Sequence, residues 1–252
     1  MNLLARPHIA AGLYPSTRRK CYVQTGAQQL KNRLNTSIRA QSNNSSSEPT
    51  QEYVTGGEVV RMPLGAVQQM PESQQAAVVA GIFAALAAST YLCCTVAGPA
   101  IADNLPWLYQ DFVARRTVVL GGIFAAAGVA HFTSKDAFES MVPRPGAWGF
   151  WNLPGSAAFH VEWTGVAEIL GGGALVATST VPALAAAYPW LQPAAAAGLF
   201  ALTAVVTPSN IYMFTHNAPG PVPKVIPLPG HFMRLVVMQG FLLSQFWDMA
   251  HL

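Results

Sequence analysis

Beyond about residue 70, apolar residues gather into long runs separated by short polar or proline-rich breaks. The first run, residues 74–98, reads QQAAVVAGIFAALAASTYLCCTVAG and carries no charge. At about 1.5 Å per residue such a run crosses a hydrocarbon layer of roughly 30 Å. Pro99 is expected to close it. A second run, residues 117–132, is short, and residues 112–114 extend it across Arg115 and Arg116. Further runs cover residues 157–181, 193–214 and 231–249. Pro208 falls inside the fourth and predicts a kink or an end there. A soluble helical bundle would need polar faces on most of its helices, and the first, third and fourth runs largely lack them. The pattern predicts an all-α polytopic membrane protein. A four-helix membrane bundle occupies residues 112–252, and residues 53–111 supply one extra N-terminal transmembrane helix and a connector.

The first 52 residues follow a different pattern. No acidic residue precedes Glu48, whereas Arg6, Arg18, Arg19, Lys20, Lys31, Arg33 and Arg39 all do. Serine, threonine, asparagine and glutamine fill much of the remainder, and the run TSIRAQSNNSSSEPTQ has no means of building a core. A basic, hydroxyl-rich, acid-poor leader has the composition of an organelle transit peptide, the alternative being a disordered cytosolic tail. Its serine-rich, extended form favours a chloroplast over a mitochondrion. The net charge of +3 is weak and scattered, so it gives no case for a nucleic-acid partner. Cys21, Cys93 and Cys94 show no metal spacing and no CxxC, and are read as packing residues.

Charges flanking the runs predict an orientation. Arg61, Lys135, Arg144, Lys224 and Arg234 fall on or near the side where the first helix begins, and Arg115 and Arg116 on the other. The positive-inside rule then places the mature N-terminus in the stroma or matrix. The tryptophan- and proline-rich connector of residues 133–156 is expected at the membrane interface. The five-proline loop of residues 217–230 is expected to act as a tether, or else as a lid over the bundle.

The third run holds the chemistry. In FHVEWTGVAEILGGGALVA, residues 159–177, three titratable groups interrupt an apolar helix: His160, Glu162 and Glu168. Ionisable groups within a membrane helix are costly and mark interior, often functional positions. At 100° per residue, Glu162 and Glu168 flank a stripe made by Gly165 and Gly172, which lets a neighbouring helix approach closely. The acids are about 9 Å apart along the axis, too far for a tight carboxylate pair. Glu168 lies deeper, and either handles a proton or ligand, such as a quinol, or hydrogen bonds to a neighbouring helix. Glu162 and His160 lie nearer the interface. His131, at the end of the second run, can reach the same mouth. His131, His160 and Glu162 are metal-ligand types, but without HxxxH or ExxH spacing no metal is expected. Asn210 follows the Pro208 break and can meet freed carbonyls or a ligand. Arg234 starts the last helix on the same side as Glu162, which predicts an Arg234–Glu162 pair.

The segments ending in GVAHF, then VEWTGVAEILGGGAL, TPSNIYMF and a last helix opening with an arginine, together resemble the DoxX-like family of small membrane proteins. The resemblance covers roughly residues 112–249. It implies a compact four-helix bundle and, for some members, an association with quinone-linked sulfur oxidation. It also implies site roles for Glu162, Glu168, His131, Asn210 and Arg234. The chain departs from the family in its last helix: MRLVVMQ lacks the usual proline and shifts Gln239 by one position, which leaves the role of Gln239 open. Three functions follow as expectations. The first is a quinone-linked redox accessory subunit. The second is a non-enzymatic assembly or scaffold protein of a thylakoid or envelope membrane, joined to other membrane subunits. The third is a small-solute or proton transporter, which no inverted repeat supports. No pattern in the chain names a reaction.

Overall fold

A computed structural model of the protein describes residues 49–221 and 225–251. The leader up to Glu48, and Lys224 in the proline-rich loop, lie outside the described residues. The chain enters as an antiparallel hairpin, β1 (Thr50–Thr55) and β2 (Glu58–Pro63), in register from Thr50 opposite Pro63 to Thr55 opposite Glu58. Gly56 and Gly57 both have positive φ, +60° and +77°. Two such residues in succession close a tight hairpin whose twist matches its strands. This hairpin corrects the sequence expectation. Thr50, Gln51 and Glu52, read as the end of a leader, open its first strand.

Helix α1 runs over Glu72–Asn104 and is not closed by Pro99. A π-helical stretch, Cys93–Ala97, precedes the proline, and the chain then continues helically through Gly98–Asn104. Pro99 sits in the first turn of that last stretch, where a missing N–H is tolerated. Only Leu105, with φ −133° and ψ 57°, separates α1 from α2 (Pro106–Thr133). The connector expected between the first two runs is therefore helical.

A short α3 (Lys135–Ser140) and an irregular loop lead to α4 (Ala157–Thr180), which Ser156 starts by accepting the N–H of Phe159 on its hydroxyl. A short α5 (Pro182–Ala187) turns the chain into α6 (Leu191–His216), which runs on through Pro208. The last helix, α7, is assembled from Leu228–Phe232, a π-helical stretch Met233–Met238, and Gln239–Ala250. The two proline-free π stretches reset the helical phase, a feature common where side chains must be aimed.

Helices α1, α2 and α6 are long and apolar enough to cross a membrane. Among the described residues, α4 and α7 do not meet that measure of apolarity. Buried polar groups occur in all four bundle helices, among them Arg116 and His131 in α2, Glu168 in α4, Thr207 in α6 and Gln239 in α7. The most extensive helix contact is that of α2 with α4; α4 also packs on α6, α6 on α7, and α7 on α1. The α2–α4 contact is a glycine seam. A Cβ on Gly172 would lie 2.5 Å from the carbonyl oxygen of Gly121, and one on Gly128 would lie 2.6 Å from that of Gly165. The backbones touch, so no side chain fits between them.

Two apolar clusters sit at opposite ends of the bundle. One joins the hairpin to the loop and to α6, through Tyr53, Met62, Trp148, Ile211, Tyr212 and Met213. The other packs Leu120, Leu175, Leu199, Phe246 and Met249. At the hairpin end, the Tyr53 hydroxyl donates to the carbonyl of His216 (2.9 Å) and the Gln68 N–H to that of Thr215 (3.1 Å). The hairpin and the segment after it thus satisfy carbonyls that α6 would leave unpaired at its C-terminus.

Candidate functional site

The loop between α3 and α4 lines a half-open cavity of about 170 Å³. Its apolar wall comes from Phe138, Met141, Trp151, Trp163, Val205 and Pro208, and its polar groups from His131, His160, Thr164, Glu168, Ser209 and Asn210. A cavity near 150 Å³ with apolar walls holds one benzene ring, so this one accommodates a single six-membered ring with a few small substituents.

Glu168 and His131 define its inner end. Both are buried. His131 Nδ1 lies 3.0 Å from the carbonyl oxygen of Val161. A carbonyl only accepts, so Nδ1 carries a hydrogen and Nε2 is the nitrogen left towards Glu168. Nε2 and Glu168 Oε2 are 3.6 Å apart, beyond a direct hydrogen bond. Glu168 Oε2 has no hydrogen-bond partner among the described residues. Buried polar atoms are nearly always paired, and an exception in a cavity wall is a place for a water, an ion or a ligand, or for a catalytic role. Thr164 supports this arrangement: its hydroxyl donates to the carbonyl of His160 (2.7 Å) and lies 3.2 Å from His131 Nδ1.

His160 lines the same cavity but is already committed. Its Nε2 donates to the Pro154 carbonyl (2.9 Å), which leaves Nδ1 to accept from Trp163 Nε1 (3.2 Å). It anchors the loop to α4. Glu162 points away from the cavity, to an exposed ion pair with Lys135, which also lies 3.8 Å from Glu139. On α3, outside the membrane helices, the hydrogen bond to Glu162 holds the Lys135 ammonium above its ordinary range. Burial raises the Glu139 carboxyl.

The expected Arg234–Glu162 pair is not formed. Arg234 instead grips Asn210, with Nη1 donating to Oδ1 at 2.6 Å and Nη2 to the backbone oxygen at 2.9 Å. The reason is depth. Glu162 lies in the second turn of α4 beside the exposed α3, whereas Arg234 sits in the π stretch of α7 against the Pro208 turn of α6. Gln239, whose role was open, binds the same turn: Nε2 donates to Thr207 Oγ1 (2.5 Å) and to the Thr203 carbonyl (3.2 Å).

The structure therefore brings together His131, His160, Glu168 and Asn210 around one cavity. It leaves Glu162 at the surface and puts Arg234 behind Asn210. Among the described residues no cluster of three or more His, Cys, Asp and Glu side chains is placed to hold a metal. Sequence reasoning missed Thr164, Trp151 and Trp163. A signal existed for Thr164, since it lies one helical turn after His160.

Three helices long and apolar enough to cross a membrane place the chain among helical membrane proteins. The model of a family described as a domain of unknown function (DUF8561) matches residues 120–250, and the chain belongs to that family. No curated protein and no solved structure matches.

Proposed function

We propose that this chain is a DoxX-like integral membrane protein of an organelle, a chloroplast before a mitochondrion, that binds the ring of a quinone for a redox partner. In this reading α2, α4, α6 and α7 form a four-helix membrane bundle, α1 is an added span, and the leader is a transit peptide. The observation that carries the reading is Glu168: a buried carboxylate oxygen without a partner, 3.6 Å from His131 Nε2, in the wall of a ring-sized cavity.

A quinone supplies two-electron, two-proton chemistry. The chain's own residues bind and orient the ring and manage the protons. Trp151, Trp163 and Phe138 offer flat apolar surfaces to it. Glu168 and His131 Nε2 are two sites, each able to hold one proton released as a quinol is oxidised. The two electrons pass to an electron-accepting partner protein.

The test is purification from the native membrane, followed by extraction and identification of bound quinones and subunits. A stoichiometric quinone in the wild type, lost in Glu168→Gln and His131→Phe, is the expected result. A stable complex with other subunits and no quinone in either form would replace this reading with that of an assembly protein.

A further inference from the structure

Asn210 lines the cavity, and its carboxamide has two different ends. Arg234 is a pure donor, so the 2.6 Å contact from Nη1 assigns the Asn210 atom it meets as Oδ1. The orientation of this amide is thus fixed by chemistry. Nδ2, the donor end, has no acceptor among the described residues. A second grip from Arg234 Nη2 on the Asn210 backbone oxygen holds the residue as well as its side chain. Pro208, two residues earlier, has no N–H and so frees one carbonyl of α6. Gln239 fastens that turn through Thr207 and Thr203.

We propose that Asn210 is the hydrogen-bond donor of this cavity and Arg234 its positioning residue, so that the ligand presents a carbonyl oxygen to Asn210 Nδ2 while its opposite polar group meets Glu168 and His131. This rests on the quinone reading and deepens it, since it fixes which group faces which ligand oxygen. A ring with two opposed oxygens, one accepting and one exchanging a proton, satisfies both ends. The guanidinium on Oδ1 polarises the amide and strengthens its N–H as a donor. It also prevents the amide from flipping its oxygen into the cavity, where it would repel a ligand carbonyl.

The test uses the full-length protein in detergent micelles and two probes of similar shape. Duroquinone carries two ring carbonyls; durene has the same four methyl groups and no oxygen. Binding of each is measured by equilibrium dialysis against protein-free micelles. The wild type is expected to bind duroquinone more tightly than durene, with one carbonyl band of ¹³C-labelled duroquinone shifted down in the infrared. Asn210→Leu and Arg234→Met are each expected to weaken duroquinone about tenfold, the scale of one lost hydrogen bond. Durene binding stays unchanged, and Arg234→Lys recovers part of the loss. Unshifted carbonyl bands in the wild type, or duroquinone and durene falling in parallel in both variants, would overturn the positioning role while leaving the quinone reading intact. Failure of the wild type to bind duroquinone at all would overturn both.

Discussion

His131 Nε2 and Glu168 Oε2 face each other at 3.6 Å inside the bundle, one from the end of α2 and one from the middle of α4. The glycine seam explains why they are so near. Gly165, one turn from Glu168, packs against His131 itself: a Cβ on it would lie 2.7 Å from that of His131. The same close approach that joins the helices also brings an acid and a base together at the cavity wall.

Because Glu168 Oε2 is unpaired, removing its charge should not unfold the protein. Glu168→Gln keeps the shape and offers an N–H to His131 Nε2, and losing an orphaned buried acid is commonly neutral or stabilising. The expected change in unfolding free energy in micelles lies between zero and about 1 kcal/mol of stabilisation. A loss above about 2 kcal/mol would show that the carboxylate serves as a structural partner.

The seam itself makes a paired prediction. Gly172→Ala and Gly128→Ala drive a methyl group into backbone atoms that cannot give way, and each should destabilise by about 1–3 kcal/mol. Gly173 and Gly122, next to seam glycines, have open space around them. Alanine there should be neutral or gain up to about 1 kcal/mol from helix propensity. Thermal unfolding of the four variants separates the two classes, and equal effects would sink the seam.

The apolar runs and the glycines flanked by acids were legible because both follow from simple periodicity. The hairpin was legible too, since two glycines stand between the β-branched and aromatic residues Tyr53, Val54, Val59 and Val60. Its first residues, Thr50, Gln51 and Glu52, continue the polar composition of the leader, which masks where the strand begins. Pro99 misled because a proline forbids one hydrogen bond, not a helix, and a π-helical stretch just before it absorbs the change. The partner of Arg234 was not legible. Pairing by charge and side of the membrane chose Glu162, while depth and helix phase gave Asn210. Nor could periodicity show that Arg116, counted as a flanking charge, turns inward.

Arg116 is buried in the first half of α2 and donates to Gln245 Oε1 (2.9 Å) and Asp248 Oδ2 (3.3 Å) of α7. Arg115 is exposed and, among the described residues, pairs only with Asp111, one turn away. Arg115→Ala should therefore change stability by less than about 1 kcal/mol. Arg116→Ala should cost about 2 kcal/mol, because it removes a buried donor from Gln245 and empties its site, whereas water screens the half-exposed Asp248 it leaves behind. Chemical unfolding checks this, and similar losses for the two arginines would refute the inward orientation.

Tyr53 makes the hairpin sensitive to alkali. Burial, reinforced by the neighbouring Tyr212, holds its hydroxyl well above the ordinary tyrosine value of 10.0. An unfolded Tyr53 loses its proton near that value, while the folded one keeps it to donate to His216. The unfolded state then binds fewer protons, so stability falls as pH rises above about 10. Below that pH the group contributes no pH dependence. Tyr53→Phe should lower stability at neutral pH by about 1 kcal/mol through the lost hydrogen bond. The same variant should show a shallower decline between about pH 10 and 12 than the wild type, because one titrating group has been removed. Proteolysis within residues 56–68, followed across that pH range, reports the hairpin's release from α6. Identical pH profiles for Tyr53→Phe and wild type would show that the phenol is not held neutral by docking.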